Sequence, residues 1–200
     1  MITPGIVLAY HGCDGEVGER ILSGRGEVAT STNDYDWLGS GAYFWEGDPG
    51  RALEWARFLQ SHPTSSRGKI RDPFVIGSIV VHGRCLDLAE ADSLKILQKA
   101  YRRFEFIASL TDTPLPRNLP GGKGDDDLVR RHLDCAVINC LHASRADAGE
   151  PAFDTVRCPF FEGHPIFPGS KVATRTHIQW CIREPSKSIV GYFRVKENHS

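Results

Sequence analysis

The stretch NDYDWLGSGAYFWEGDPGRALEWA, residues 33–56, decides how the rest of the chain is read. Tyr35, Trp37, Tyr43, Phe44, Trp45 and Trp55 crowd into it, interleaved with Gly39, Gly41, Gly47 and Gly50. The run at 42–45 has the continuous apolar character of a strand. Asp48-Pro49 then supplies an N-cap and a first helical turn, followed by Ala52, Trp55, Ala56 and Leu59 at helical spacing, so a helix is predicted over 49–60. Glycines let a backbone come close to a ligand, and aromatic rings offer flat surfaces for planar groups. A hairpin whose aromatics simply pack the core would look the same.

Outward from this stretch, further strands are predicted over 6–10 and 74–81, over 155–161, and over 176–182 and 188–195. Helices are predicted over 16–22, 93–110 and 125–144. In the second of these, Leu94, Leu97, Tyr101, Phe104 and Ala108 form one stripe, and Asp92 or Ser93 can cap it. The Pro/Gly-rich segment 113–124 joins two helices and is expected to be a mobile loop. Strands and helices mix without an internal repeat, so the expected class is α+β, as a single domain over 1–200.

Composition narrows the class without naming a function. Forty per cent apolar residues in a chain of 200 can build a core, which excludes a disordered or fibrous protein. Lys+Arg (24) and Asp+Glu (25) nearly cancel, so no general hold on nucleic acid or an anionic membrane is expected. No apolar run reaches the ~20 residues of a spanning helix. The start MITPGIVLAYHG has neither the charge nor the length of a secretory signal. The six cysteines lack any CxxC pair and read as reduced, buried thiols. A cytoplasmic protein without membrane partners is the expectation.

Two motifs carry a resemblance. His11-Gly12, in YHG near the N-terminus, and Tyr43, in GSGAYF some thirty residues later, are similar to the first two elements of the ADP-ribosyltransferase fold of diphtheria toxin and the poly(ADP-ribose) polymerases. That family carries a His-Tyr-Glu triad, its Glu on a late strand. Here the late strand reads THIQWCI, and Gln179 stands where the family has Glu. The following IVGYFRV resembles the family's closing strand, so the likeness covers about residues 5–60 and 150–196. Trp55 lies one position beyond the family's second stacking aromatic. The resemblance implies two packed mixed or antiparallel sheets flanked by helices. It also implies NAD as a co-substrate, bound by His11, Gly12, Tyr43 and Trp55, with His11, Tyr43 and Gln179 acting in catalysis. The implied reaction is mono-ADP-ribosylation of a protein or nucleic-acid acceptor. Small stand-alone bacterial members act as toxins or defence effectors, which would add an antitoxin partner.

These residue types suit that chemistry. The backbone N–H and C=O at Gly12 can pair with the nicotinamide carboxamide, and Tyr43 and Trp55 can sandwich the pyridinium. His11 can bond a ribose hydroxyl of the adenosine side. Loss of nicotinamide leaves an oxocarbenium-like sugar that a carboxylate normally stabilises. Gln179 can orient the ribose but brings no charge, so chain-extending chemistry is not expected. Glu162, in the loop FEGHPIFPG, or Glu46, beside Tyr43, can supply the acid instead. Phe160, Phe161, Glu162 and His164 are the candidates to meet the acceptor.

Alternatives stay open. A non-catalytic module that binds NAD or ADP-ribose fits the missing acid. An RNA 2′-phosphotransferase of related fold would need a His/Arg cluster, of which only His11 is well placed. Cys135, Cys140 and His142 share a predicted helix near His132, but their spacing does not make a zinc site and no metal is expected. Cys13 beside His11 lacks an orienting third group for nucleophilic chemistry. GGKGDDD lacks the P-loop spacing. The arginine pairs at 102–103 and 130–131 read as solvated helix faces.

Overall fold

The computed structural model describes residues 5–62, 70–121 and 127–196. Within them the chain is α+β, with a seven-stranded mixed sheet, a two-stranded ribbon and five helices. The sheet contains β1 (Ile6–Asp14), β2 (Ala42–Glu46), β3 (Pro73–Val81), β4 (Cys85–Asp87), β7 (Thr155–Phe160), β8 (His177–Ile182) and β9 (Ile189–Arg194). Their order is β4-β7-β8-β2-β1-β3-β9, and every pairing is antiparallel except the parallel β4–β7 edge. The ribbon pairs β5 (Asn118–Leu119) with β6 (Arg130–Arg131).

The strands thus join one sheet rather than the expected two, but that sheet is nearly divided. β1 pairs with β3 over nine residues and β8 with β7 over six. Between β1 and β2 the register holds only Ala9↔Glu46 and Tyr10↔Trp45. One wing, β1-β3-β9, is therefore hinged to the other, β2-β8-β7-β4, along a short ladder.

Period-two alternation builds a core on each face. On one face Ala9, Phe44, Ile76, Val80, Trp180 and Ile182 pack with Ile21 of α1 (Gly15–Leu22). On the other, Cys181, Val156 and Phe160 pack under α3 (Ala91–Leu110) and α4 (His132–Asp147). Phe44 and Trp180 are fully buried, each stabilising the fold by roughly 2–3 kcal/mol. On this second face α2 (Pro49–Ser61) covers β1: Ala52 and Ala56 are fully buried, and a Cβ at Gly12 would lie 2.1 Å from the Ala52 carbonyl oxygen. Only glycine permits that approach.

Local signals and structure differ at several points. Asp48 does cap α2, accepting from the Arg51 N–H at 2.9 Å, with Pro49 in the first turn. Trp55 lies off the buried side of that helix and is 43% exposed. Helix α3 starts at Ala91 with Glu90 in the capping place and no side-chain cap bond, so neither Asp92 nor Ser93 caps it. Helix α4 starts at His132, not at 125. Residues 122–126, which hold most of GGKGDDD and the end of the expected loop 113–124, lie outside the described residues. The cap of α4 comes from a distance: Asn118 Oδ1 accepts from the N–H groups of Leu133 (2.9 Å) and Asp134 (3.4 Å). Arg130 and Arg131 form β6 rather than a helix face, and Arg131 lies over the rings of Trp37 (4.2 Å) and Phe160 (4.7 Å).

Among the described residues no helix is long and apolar enough to cross a membrane, and no group of three or more His, Cys, Asp or Glu could hold a metal ion. All six cysteines are free. Burial pushes the Cys13 thiol up to about 12, so it stays protonated beside His11.

Candidate functional site

The hinge between β1 and β2 is the first half of the site. In an antiparallel pair the main-chain polar groups of alternate residues turn to the same neighbour. The Leu8 carbonyl accepts from the Gly47 N–H at 3.1 Å, so Leu8, Tyr10 and Gly12 all direct N–H and C=O toward β2. The ladder reaches Tyr10↔Trp45 and ends; the next pair in register would be Gly12 with Tyr43. There the Tyr43 carbonyl accepts from His11 Nδ1 instead, at 2.8 Å. The imidazole takes the place of the Gly12 N–H and leaves the Gly12 amide and carbonyl aimed into the seam.

That bond also sets the state of His11. A carbonyl only accepts, so Nδ1 carries the proton and Nε2 presents a lone pair. Burial lowers its pKa, against a smaller opposing effect of the Tyr43 carbonyl, so the ring is neutral. The ring sits 5.5 Å from that of Phe44.

His11 and Tyr43 do not share a face of the sheet. His11 lies with Phe44, while the Tyr43 side chain is on the opposite face with Cys181, its partner across β8. The Tyr43 hydroxyl donates to the Gly39 carbonyl (2.6 Å) and accepts from the Leu38 N–H (2.8 Å), closing the turn where Gly39 has φ 78°. Burial holds its pKa well above 10. Trp55 meets Trp45 (6.3 Å between ring centres) and Phe58 (5.4 Å). Among the described residues no ring contact joins it directly to Tyr43.

The second half of the site surrounds Gln179, on the Tyr43 face. Gln179 stands opposite Trp45 on one side and Cys158 on the other. It is 9% exposed, and its Oε1 is buried without a partner. Three neighbours carry similar orphans: Trp45 Nε1, Arg51 Nε and His177 Nε2. His177 lies two residues before Gln179 on β8 and so shares its face. Buried polar atoms are nearly always satisfied, and several unsatisfied ones around one place mark a position that a polar ligand or water completes. Arg131 Nε is another such atom, above Trp37, whose ring is 6.0 Å from that of His177.

Glu162 belongs to this half. It is 6% exposed, and its Oε2 lies 3.1 Å from Arg51 Nη2 and 3.5 Å from His177 Nδ1. Burial raises its pKa, and the Arg51 guanidinium offsets part of that rise. The other acid considered, Glu46, is on the opposite face: it pairs with Arg157 at 2.8 Å and accepts from Trp180 Nε1 at 2.7 Å. A cavity of about 400 Å3 lies there, lined in part by Glu46, His82, Asp87 and Arg157, and it holds none of the triad candidates. Of the remaining loop candidates, Phe160 is a core residue, while Phe161 and His164 are exposed.

The structure therefore brings Glu162 and Gln179 to one polar cluster and places His11 and Gly12 at the seam. Arg51 and His177 join that cluster without having been singled out in the sequence, and Trp45 was read there only as one of the crowded aromatics. For His177 the readable signal was its period-two relation to Gln179 in THIQW. No protein-family model, curated protein or solved structure matches the chain.

Proposed function

We propose that this chain has an ADP-ribosyltransferase-like fold and transfers ADP-ribose from NAD to a macromolecular acceptor, releasing nicotinamide. The observation that carries the reading is the interrupted ladder at Gly12. A carboxamide offers one donor and one acceptor in a plane, which is what the N–H and C=O of Gly12 complement in the seam. His11 Nε2, a neutral acceptor, suits a ribose hydroxyl. Gln179, with an unpaired buried Oε1, suits a second hydroxyl near the anomeric carbon. The negative charge favoured by the developing oxocarbenium is then assigned to Glu162 in place of the absent family carboxylate.

Incubating the full chain with NAD and measuring free nicotinamide, with and without cell lysate, tests this. Release that increases with lysate is expected; NAD that neither binds nor is consumed contradicts it. One observation favours a second reading, a module that binds NAD or ADP-ribose without turnover. The Tyr43 hydroxyl is engaged by Leu38 and Gly39, and the residue in the third place is an amide. Binding without nicotinamide release would select that reading.

A further inference from the structure

We propose that His177 is the proton acceptor for the incoming nucleophile and that this nucleophile is a neutral hydroxyl group of a protein; the inference rests on the transferase reading above. The His177 Nδ1 donates to the Arg175 carbonyl at 2.8 Å, which fixes the proton on Nδ1 and leaves Nε2 as a lone pair. That Nε2 is buried and unpartnered, the side chain is 1% exposed, and Gln179 on the same face also presents an unpartnered acceptor. The Glu162 carboxylate, 3.5 Å from Nδ1, stabilises an imidazolium once Nε2 takes a proton.

The neighbours select the nucleophile. Glu162 Oε2 is already bonded by Arg51 at 3.1 Å and lies 3.5 Å from His177 Nδ1, so an incoming guanidinium would compete with Arg51 for it. An incoming carboxylate would face Glu162 and would need no base. A hydroxyl uses what is left over: its proton goes to His177 Nε2, and its oxygen can accept from Trp45 Nε1. In the step, the hydroxyl oxygen bonds to the ribose carbon that bears nicotinamide. The bond from that carbon to the ring nitrogen breaks, its electron pair stays on nicotinamide, and the hydroxyl proton moves to His177 Nε2. The loop that carries Glu162 exposes Phe161, Ile166, Phe167 and Val172. These include aliphatic groups with no base-stacking use, and the chain's net charge of −1 gives no general hold on phosphates, so the acceptor assigned is a protein.

The groups facing His177 are Glu162 and Arg175 from the loop, Arg51 and Asp48 at the start of α2, and Arg131 from β6. The test follows label transfer from NAD to lysate by the full chain between about pH 5 and about pH 9. Transfer should fall on the acid side as His177 protonates, and the label should be lost to protease, not to nuclease, and resist hydroxylamine. His177→Gln should lose at least ~100-fold of transfer together with the acid limb. Arg131→Ala, which removes a positive charge that opposes protonation of His177, should keep the limb but move it to higher pH; if His177→Gln does not fold, this shift decides. Transfer by His177→Gln within about threefold of the parent, with the same limb, overturns the role of His177. A limb unmoved in Arg131→Ala does the same. A nuclease-sensitive or hydroxylamine-labile label overturns the assignment of the acceptor. A parent chain that does not bind NAD in calorimetry overturns the transferase reading itself, which the other outcomes leave standing.

Discussion

The imidazole of His11 and the carbonyl of Tyr43 are joined by a 2.8 Å hydrogen bond at the point where the β1–β2 ladder ends. A side chain here does what a backbone amide does two residues further back along the same ladder. The result is a sheet held together in its middle by two residue pairs, with the polar edge of Gly12 turned into the gap.

Gly12→Ala is expected to destabilise the fold by about 2–3 kcal/mol. The new Cβ meets backbone, the Ala52 carbonyl oxygen at 2.1 Å, which cannot rotate away as a side chain would. Denaturant unfolding measures this. A midpoint equal to that of the parent would mean that α2 does not bear on β1 as described.

Gln179→Met should hold or raise stability while cutting nicotinamide release by about 100-fold or more. The unpartnered Oε1 is a buried cost that Met removes at similar volume. Thermal unfolding and nicotinamide release on the same preparation separate the two effects. A variant that loses stability yet keeps its rate would make Gln179 a structural residue.

Helix α2 and its cap were legible because Asp48, Pro49, Ala52 and Ala56 follow one another at steps of about one turn or less. The start of α4 was not, because its cap is Asn118, 15 residues before Leu133, and the acids at 125–127 imitate a first turn. Strand β4 escaped because three residues paired at a parallel edge carry no alternation. Gln179 and Glu162 were legible as polar residues in and beside an apolar strand. That Glu162 reaches His177 and Arg51 while Glu46 faces the other way depends on strand parity across three chains of pairing, which no local pattern encodes.

Arg131→Ala should cost about 1–2 kcal/mol, because the guanidinium covers the rings of Trp37 and Phe160 rather than lying free in solvent. Arg131→Lys should recover less than half, since an ammonium does not stack. Chemical denaturation of both variants checks it. Equal stability of all three proteins would return Arg131 to a solvated surface role.

Stability should fall as pH drops below about 6.5, and His142 should account for part of the slope. Burial, helped by Arg183 and Arg145, lowers its pKa to about 3 in the folded chain. The unfolded chain therefore binds a proton below about 6.5 that the folded chain refuses until about 3, and stability is lost across that window by roughly 1 kcal/mol per pH unit. Both ring nitrogens are buried without partners, so His142→Leu should flatten the slope and not weaken the protein near neutrality. Parallel slopes in parent and variant would contradict this.

The proposed reading requires first that NAD binds in the seam beside Gly12 and His11. Titration calorimetry of NAD against the parent chain and His11→Ala tests it most directly. Removing the imidazole frees the Tyr43 carbonyl to take the Gly12 N–H and removes the Nε2 acceptor, so affinity should fall by about tenfold or more, equivalent to at least ~1.4 kcal/mol. Unchanged affinity in His11→Ala, with the variant folded, would place NAD elsewhere and contradict the account.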